Sequence, residues 1–280
     1  MFRLAVTVAI CLFTQTAVPG YDRDLWTNYP SMNHVTGLAE SNEVIYVATT
    51  GGIRRYDRFA QKWLPPLTQL DGLPHNQVQR IIFDPHSREL WFDTPAGNGR
   101  WLEGLQTILQ GGAAPYQPAQ PHTQFRLSSI VPPFGYYLDQ NRIIGPRQNF
   151  AITQTLIDSW KNLWIATWGL GVGMANLNDS QLHFNTYGPI EENVTALATD
   201  GNTIWMGGED TYLSPARGIS RYHRKTQEWE YFEAKNTIGL ENAQIMTILP
   251  DSTTVWFGTH AGLMRYNKPS KRWLTYRDTE

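Results

Sequence analysis

The chain has 280 residues, a formal charge of -2, 17% charged residues and a single cysteine. That length supports a sizeable core. Without a basic stripe to displace counterions, the charge pattern excludes a nucleic-acid partner, and a lone thiol excludes a disulfide framework.

In chain order, the first feature is a basic start at Met1-Phe2-Arg3, followed by an apolar run from Leu4 to Phe13 and small residues from Ala17 to Gly20. This is the pattern of a secretory signal peptide over residues 1–20. It is too short to span a bilayer, and nothing later reaches the roughly 20 apolar residues a span needs. Cys11 falls inside the run, so the mature chain from 21 to 280 is read as one cysteine-free, extracytoplasmic domain with no transmembrane segment.

A short apolar run carrying Trp or Tyr, then a glycine-bearing turn, then a third strand, occurs five times. The runs are Ile45–Thr49, Leu90–Thr94, Leu163–Thr167, Ile204–Gly208 and Val255–Thr259. The clearest unit, 193–235, reads as inner strand Val194–Ala198, an Asp200-Gly201 turn, Thr203–Gly207, Gly218–His223 and outer strand Trp229–Phe232. An Asp-Gly pair between apolar runs is a strong hairpin signal. Val78–Ile82, Ile152–Ile157 and Ile245–Ile248 read as further inner strands; Trp63-Leu64, His183-Phe184 and Trp273–Tyr276 as outer ones. Repeats of this length built only of strands imply an all-β fold, a β-propeller of four-stranded blades. Five blades are recognisable. A Pro/Gly-rich insertion at about 111–149 interrupts them and leaves six as the alternative, through a hairpin formed by Phe134–Leu138 and Arg142–Ile144. Leu25–Tyr29 resembles a stray outer strand that either completes this region or leaves closure to another route.

Asp158 through Leu163-Trp164-Ile165-Ala166-Thr167, Asp251 through Trp256-Phe257-Gly258-Thr259 to Tyr266, and Thr49 through Gly51-Gly52 to Arg55-Tyr56-Asp57 resemble the two-component-regulator propeller repeat. Asp71-Gly72-Leu73-Pro74 and Gly239-Leu240 resemble its links between units. The resemblance covers about Val35 to Glu280 outside the insertion. It implies an extracytoplasmic sensing or interaction propeller, often fused to a membrane span and a histidine kinase. Neither is encoded here, so a free-standing, non-catalytic binding module is expected, acting on a small molecule, glycan or protein partner. A carbohydrate-binding or carbohydrate-active propeller is the alternative.

In such a fold the loops entering the inner strands and those joining second to third strands share one face, and loops on a rigid scaffold commonly carry function. The first set offers His34, His75, Asn76, Glu191, Glu192, Asn193, Glu241 and Asn242. The second offers Trp168, Glu209, Asp210, Tyr212 and His260. Such aromatic, acidic and histidine side chains suit a polar ligand such as a sugar, although Asn before a strand and exposed carboxylates also serve ordinary turns. His34, His75 and His260 lack the close spacing of a zinc motif, and no Gly-x-Ser-x-Gly elbow occurs; neither metal, cofactor nor catalytic residue is assigned. Gly169–Gly173 lies between strands and reads as a turn, not a phosphate cradle. Asn178-Asp179-Ser180 and Asn193-Val194-Thr195 are glycosylation-type triplets, relevant only in a eukaryotic secretory host.

Overall fold

The computed structural model describes residues 27–112, 127–146, 148–209, 216–240 and 244–276. The signal-like segment, Leu25, Trp26, Asp210, Tyr212, Glu241 and Asn242 lie outside the described residues. Among the described residues the chain is all-β, with 22 strands in five antiparallel sheets and no α-helix.

The first sheet holds β1 (Val35–Glu40), β2 (Val44–Thr49), β3 (Gly52–Asp57) and β4 (Lys62–Leu67). The second holds β5 (Arg80–Asp84), β6 (Glu89–Thr94), β7 (Gly97–Leu102) and β8 (Thr107–Gln110). A hairpin of β9 (Tyr137–Asp139) and β10 (Arg142–Ile144) precedes the third sheet, β11 (Asn149–Ile157), β12 (Asn162–Thr167), β13 (Val172–Asn176) and β14 (Leu182–Asn185). The fourth is β15 (Val194–Thr199), β16 (Thr203–Gly208), β17 (Gly218–His223) and β18 (Glu228–Glu233). The fifth is β19 (Ile245–Pro250), β20 (Thr254–Thr259), β21 (Gly262–Asn267) and β22 (Arg272–Tyr276).

Each sheet is a four-stranded meander, as the repeats predict. Two strands carried no sequence signal, β1 and β8, because neither Val35–Glu40 nor Thr107–Gln110 has an aromatic anchor. The hairpin in the insertion does form, but β10 pairs with the leading half of β11, extending the third sheet rather than founding a sixth. Turn chemistry repeats as well. Thr49, Thr94, Thr167 and Thr259, each ending a second strand, accept the turn through the hydroxyl by donating to the carbonyl of Gly52, Gly97, Gly171 and Gly262. The fourth sheet has Gly208 in that place and a longer loop instead.

The packing of sheet on sheet does not follow chain order. β1 packs against β5 on one side and against β11 and β12 on the other, so the first sheet is sandwiched between the second and the third. Separately, β15 and β16 pack on β19. The cores agree: Trp164 is buried among Val35, Leu38, Ile45 and Val47 of the first sheet. Tyr46 is buried with Ile81, Leu90 and Phe92 of the second, and Trp205 with Ile248, Val255 and Phe257 of the fifth. Three marker aromatics, Trp164, Tyr46 and Trp205, thus fill the face of the next sheet, the order running third to first to second, and fourth to fifth.

A bulge in the inner strand makes this stacking directional. The register shifts at the same point in β1, β11, β15 and β19. In the first three the bulged residue is threonine, and its hydroxyl donates to the opening carbonyl of the neighbouring sheet's inner segment. Thr153 reaches Val35 O at 2.8 Å, Thr36 reaches Val78 O at 2.6 Å, and Thr195 reaches Ile245 O at 2.9 Å. In β19 the residue is Met246, 67% exposed, and among the described residues no sheet packs beyond it. The outward face of the fifth sheet leaves Leu249, Leu263, Leu274 and Tyr276 exposed.

The two stacks meet through the segment 27–34 and the link after β14. Tyr29 lies edge-on to Tyr222, with ring centroids 4.7 Å apart, and caps the fourth sheet beside Ile204 and Met206. Met32 N donates to Tyr187 O at 2.9 Å. Arg54, buried over the Trp63 ring at 3.8 Å, donates to Asn185 O at 3.1 Å. Burial lowers its guanidinium to about 10, and Arg54→Met is expected to be better tolerated than Arg54→Ala, since the stem keeps its packing while the costly charge goes. Urea midpoints of the two variants check this.

Candidate functional site

The place where the third and fourth sheets approach each other is organised by Asn33, which is buried. Its carbonyl accepts from the amides of Gly169 and Gly171, both at 2.9 Å. Its side chain accepts from Tyr187 N at 3.0 Å and donates to Pro189 O at 3.2 Å. One asparagine therefore fixes the approach to β1, the turn after β12 and the link into β15. His34 and Trp168, the next residues outward, form an antiparallel bridge, and their rings meet edge-on at 4.8 Å.

Opposite His34 stands Glu192, whose Oε1 is 3.2 Å from His34 Nε2. Glu191, buried, turns inward: one carboxylate oxygen accepts the amides of Arg217 and Gly218, each at 2.6 Å. This fixes the start of β17. Gly208 is needed beside it, since a Cβ there would run into the Asn193 carbonyl and come within 2.9 Å of Glu191 Cβ. Asn193 Nδ2 donates to Glu209 Oε1 at 2.7 Å. Trp168 remains 48% exposed on the outside of the cluster.

Burial lowers the His34 imidazole from its ordinary value of 6.5, with Glu192 opposing and Arg217 assisting. The unfolded chain then takes up the proton first, so stability falls as the pH drops below 6.5 and is unaffected by His34 above it. Urea midpoints measured on either side of that value are expected to diverge less in His34→Gln than in the parent chain.

Of the residues expected from sequence, His34, Trp168, Glu191, Glu192, Asn193 and Glu209 come together here. Two histidines do not join them. His75 Nδ1 accepts from Gln77 N at 2.9 Å, and its neighbour Asn76 accepts from Gln69 N at 2.7 Å, both within the link between the first two sheets. His260 Nδ1 accepts from Gln244 N at 3.2 Å at the end of the fifth sheet. The expected face is thus divided. Asp210, Tyr212 and Asn242 lie outside the described residues.

Sequence reading missed three contributors behind the cluster. Arg217 donates to Gly169 O at 2.6 Å and lies 5.5 Å from the Phe150 ring centre. Lys235 Nζ is 2.8 Å from Glu233 Oε2 and donates to the Tyr136 hydroxyl at 3.0 Å. Burial works against the Lys235 charge, but those two partners outweigh it and hold the ammonium above its ordinary value. As loop-end charges and a hairpin tyrosine they carried no pattern of their own. Together they border a cavity of about 300 Å³ between the third and fourth sheets.

No protein-family model matches the sequence, and no curated protein matches it. Among solved structures, the chain is similar to the extracellular domain of the putative one component system BT4673 from B. thetaiotaomicron, with 18% identity, 91% of this chain and 36% of that chain covered, and a TM-score of 0.26. The extracellular domain of the putative hybrid two component system BT3049 from the same organism gives 14% identity, 92% and 30% coverage and a TM-score of 0.25. PorZ, a surface component of the type-IX secretion system of Porphyromonas gingivalis, gives 14%, 88%, 34% and 0.24. The chain spans 30% to 36% of the length of these proteins.

Proposed function

We propose that the chain is an exported, propeller-type module of the two-component-regulator repeat kind that binds a ligand or protein partner without chemistry, through the His34–Trp168–Glu192 cluster. The observation that carries this reading is the delivery of three side chains of binding type to one spot by loops of three different sheets. A tryptophan left half exposed against a histidine and a carboxylate offers both an apolar face and a hydrogen-bonding edge. Export rests on the basic and apolar start of the sequence, with cleavage after Ala17 or Gly20.

A thermal-shift and capture screen against glycans, peptides and proteins tests it. A saturating ligand at about a hundred times its dissociation constant adds roughly 2.7 kcal/mol of stability. Trp168→Ala combined with Glu192→Gln is expected to weaken capture at least ~10-fold, about 1.4 kcal/mol, with the melting transition preserved because both side chains are about half exposed. Capture unaffected by the pair removes the reading. The Trp168 ring also favours a second, sugar-directed reading; absence of any glycan binding at millimolar concentration ends it. A sugar-active enzyme would further require turnover that disappears in Glu192→Gln alone.

A further inference from the structure

The cavity behind the cluster carries chemistry of its own. Phe150, Leu170, Phe184 and Ile190 give its lining an apolar part, and Arg217, Lys235, Tyr136 and Tyr231 a polar one. The Tyr231 hydroxyl is committed to Gly188 O at 3.1 Å, and burial pushes it up to about 12, so it faces the space as a neutral group. Two cations line the cavity against one carboxylate, Glu233, and that carboxylate is engaged by Lys235 at 2.8 Å.

Arg217, the second cation, is answered mainly by Glu191, which is not among the lining residues, and more weakly by Glu233. Glu191 lies close, but its bound oxygen is turned to the amides of Arg217 and Gly218. The guanidinium is held from behind by Gly169 O and flanked by the Phe150 ring. A guanidinium has five donors in a planar fork matched to a carboxylate. Beside it, the Lys235 ammonium sits 4.1 Å from the Tyr136 ring centre, and Tyr136 in turn lies 5.5 Å from Phe184. Aromatic faces bordering a narrow space favour a flat apolar body, and about 300 Å³ lies at the small end of ligand pockets.

We infer that this cavity binds a compact aromatic monocarboxylic acid, its carboxylate on Arg217 and its ring among Phe150, Phe184 and Tyr136. The inference rests on the reading of the chain as a binding module, but uses a place distinct from the exposed Trp168 edge.

The test is calorimetric titration of the full chain with 3-phenylpropionate and indole-3-acetate, each beside its uncharged amide, and with glucuronate. A charge-assisted pair predicts that at least one acid binds saturably and at least ~10-fold more tightly than its amide. Arg217→Gln is expected to erase the difference between acid and amide, while Trp168→Ala leaves it intact. Should Arg217→Gln fail to fold, transferred nuclear Overhauser effects between ligand ring and the Phe150 and Phe184 side chains of the parent chain locate the ligand instead. Equal binding of acid and amide, tighter binding of glucuronate than of either aromatic acid, or no binding of either acid at ~10 mM each overturns the inference. Failure of the acids with Trp168-dependent capture intact removes only the cavity proposal. Acid binding without any Trp168-dependent capture removes only the proposed function.

Discussion

Asp158→Ala is expected to destabilise the protein by about 3–5 kcal/mol, the range for removing one partner from a buried charged network. The carboxylate is 3% exposed. One oxygen accepts the amides of Trp160 and Asn162 at 2.9 and 2.8 Å. The other accepts Asn162 Nδ2 at 3.1 Å and the indole N–H of Trp164 at 2.9 Å. Arg58, itself 2% exposed, stands 3.8 Å away and reaches the first sheet through Glu40 at 2.8 Å and Ser41 O at 3.0 Å, and the third through Ser159 at 2.9 Å. Alanine at 158 would leave four donors and part of a buried guanidinium unanswered, and would loosen the tryptophan that fills the first sheet. Asp158→Asn keeps one acceptor oxygen and is expected to cost less, about 1–3 kcal/mol. Equilibrium unfolding in urea separates the two; a loss under about 1 kcal/mol for the alanine variant would show that the turn does not tie the sheets.

Glu191→Ala is expected to cost about 2–4 kcal/mol, from two buried amides left without an acceptor and a neighbouring guanidinium left without its counter-charge. Its second effect is local. With the start of β17 released, Arg217 and the loop beside Trp168 lose their common anchor, so capture by the cluster should fall even at temperatures where the chain is folded. Glu191→Gln retains an acceptor and should preserve the fold while weakening both bonds. Circular dichroism with capture measured in parallel distinguishes loss of fold from loss of the anchor. If Glu191→Ala captures its partner as the parent does, the anchoring role is wrong.

The local architecture was open to reading because most strands carry their own marker. Trp164, Trp205 and Tyr46 sit in apolar runs, Asp200-Gly201 marks a turn, and each of the five meanders follows from such signals. What was hidden is the order of stacking. Trp164 and Trp205 occupy equivalent positions in equivalent strands, so nothing local tells that one faces the first sheet and the other the fifth. The candidate site was half visible for the same reason. His34, Glu192 and Trp168 lie in loops that a repeat reading singles out, but their union depends on Asn33, whose carbonyl and side chain act across three segments. His75, in a link between units, and His260, in a loop between second and third strands, were singled out on the same grounds and end as turn acceptors.

The methionine at the bulge of β19 has a dynamic consequence. A sheet held between two others opens only when two interfaces give way, whereas one held on a single side opens when one does, so local unfolding is cheapest at the ends of a stack. Amide hydrogens of β2 should therefore exchange most slowly. Those of β21 and β22, in the sheet whose inner-strand bulge carries Met246 in place of threonine, should exchange early, and heat should peel the protein from this sheet toward the Trp205 core.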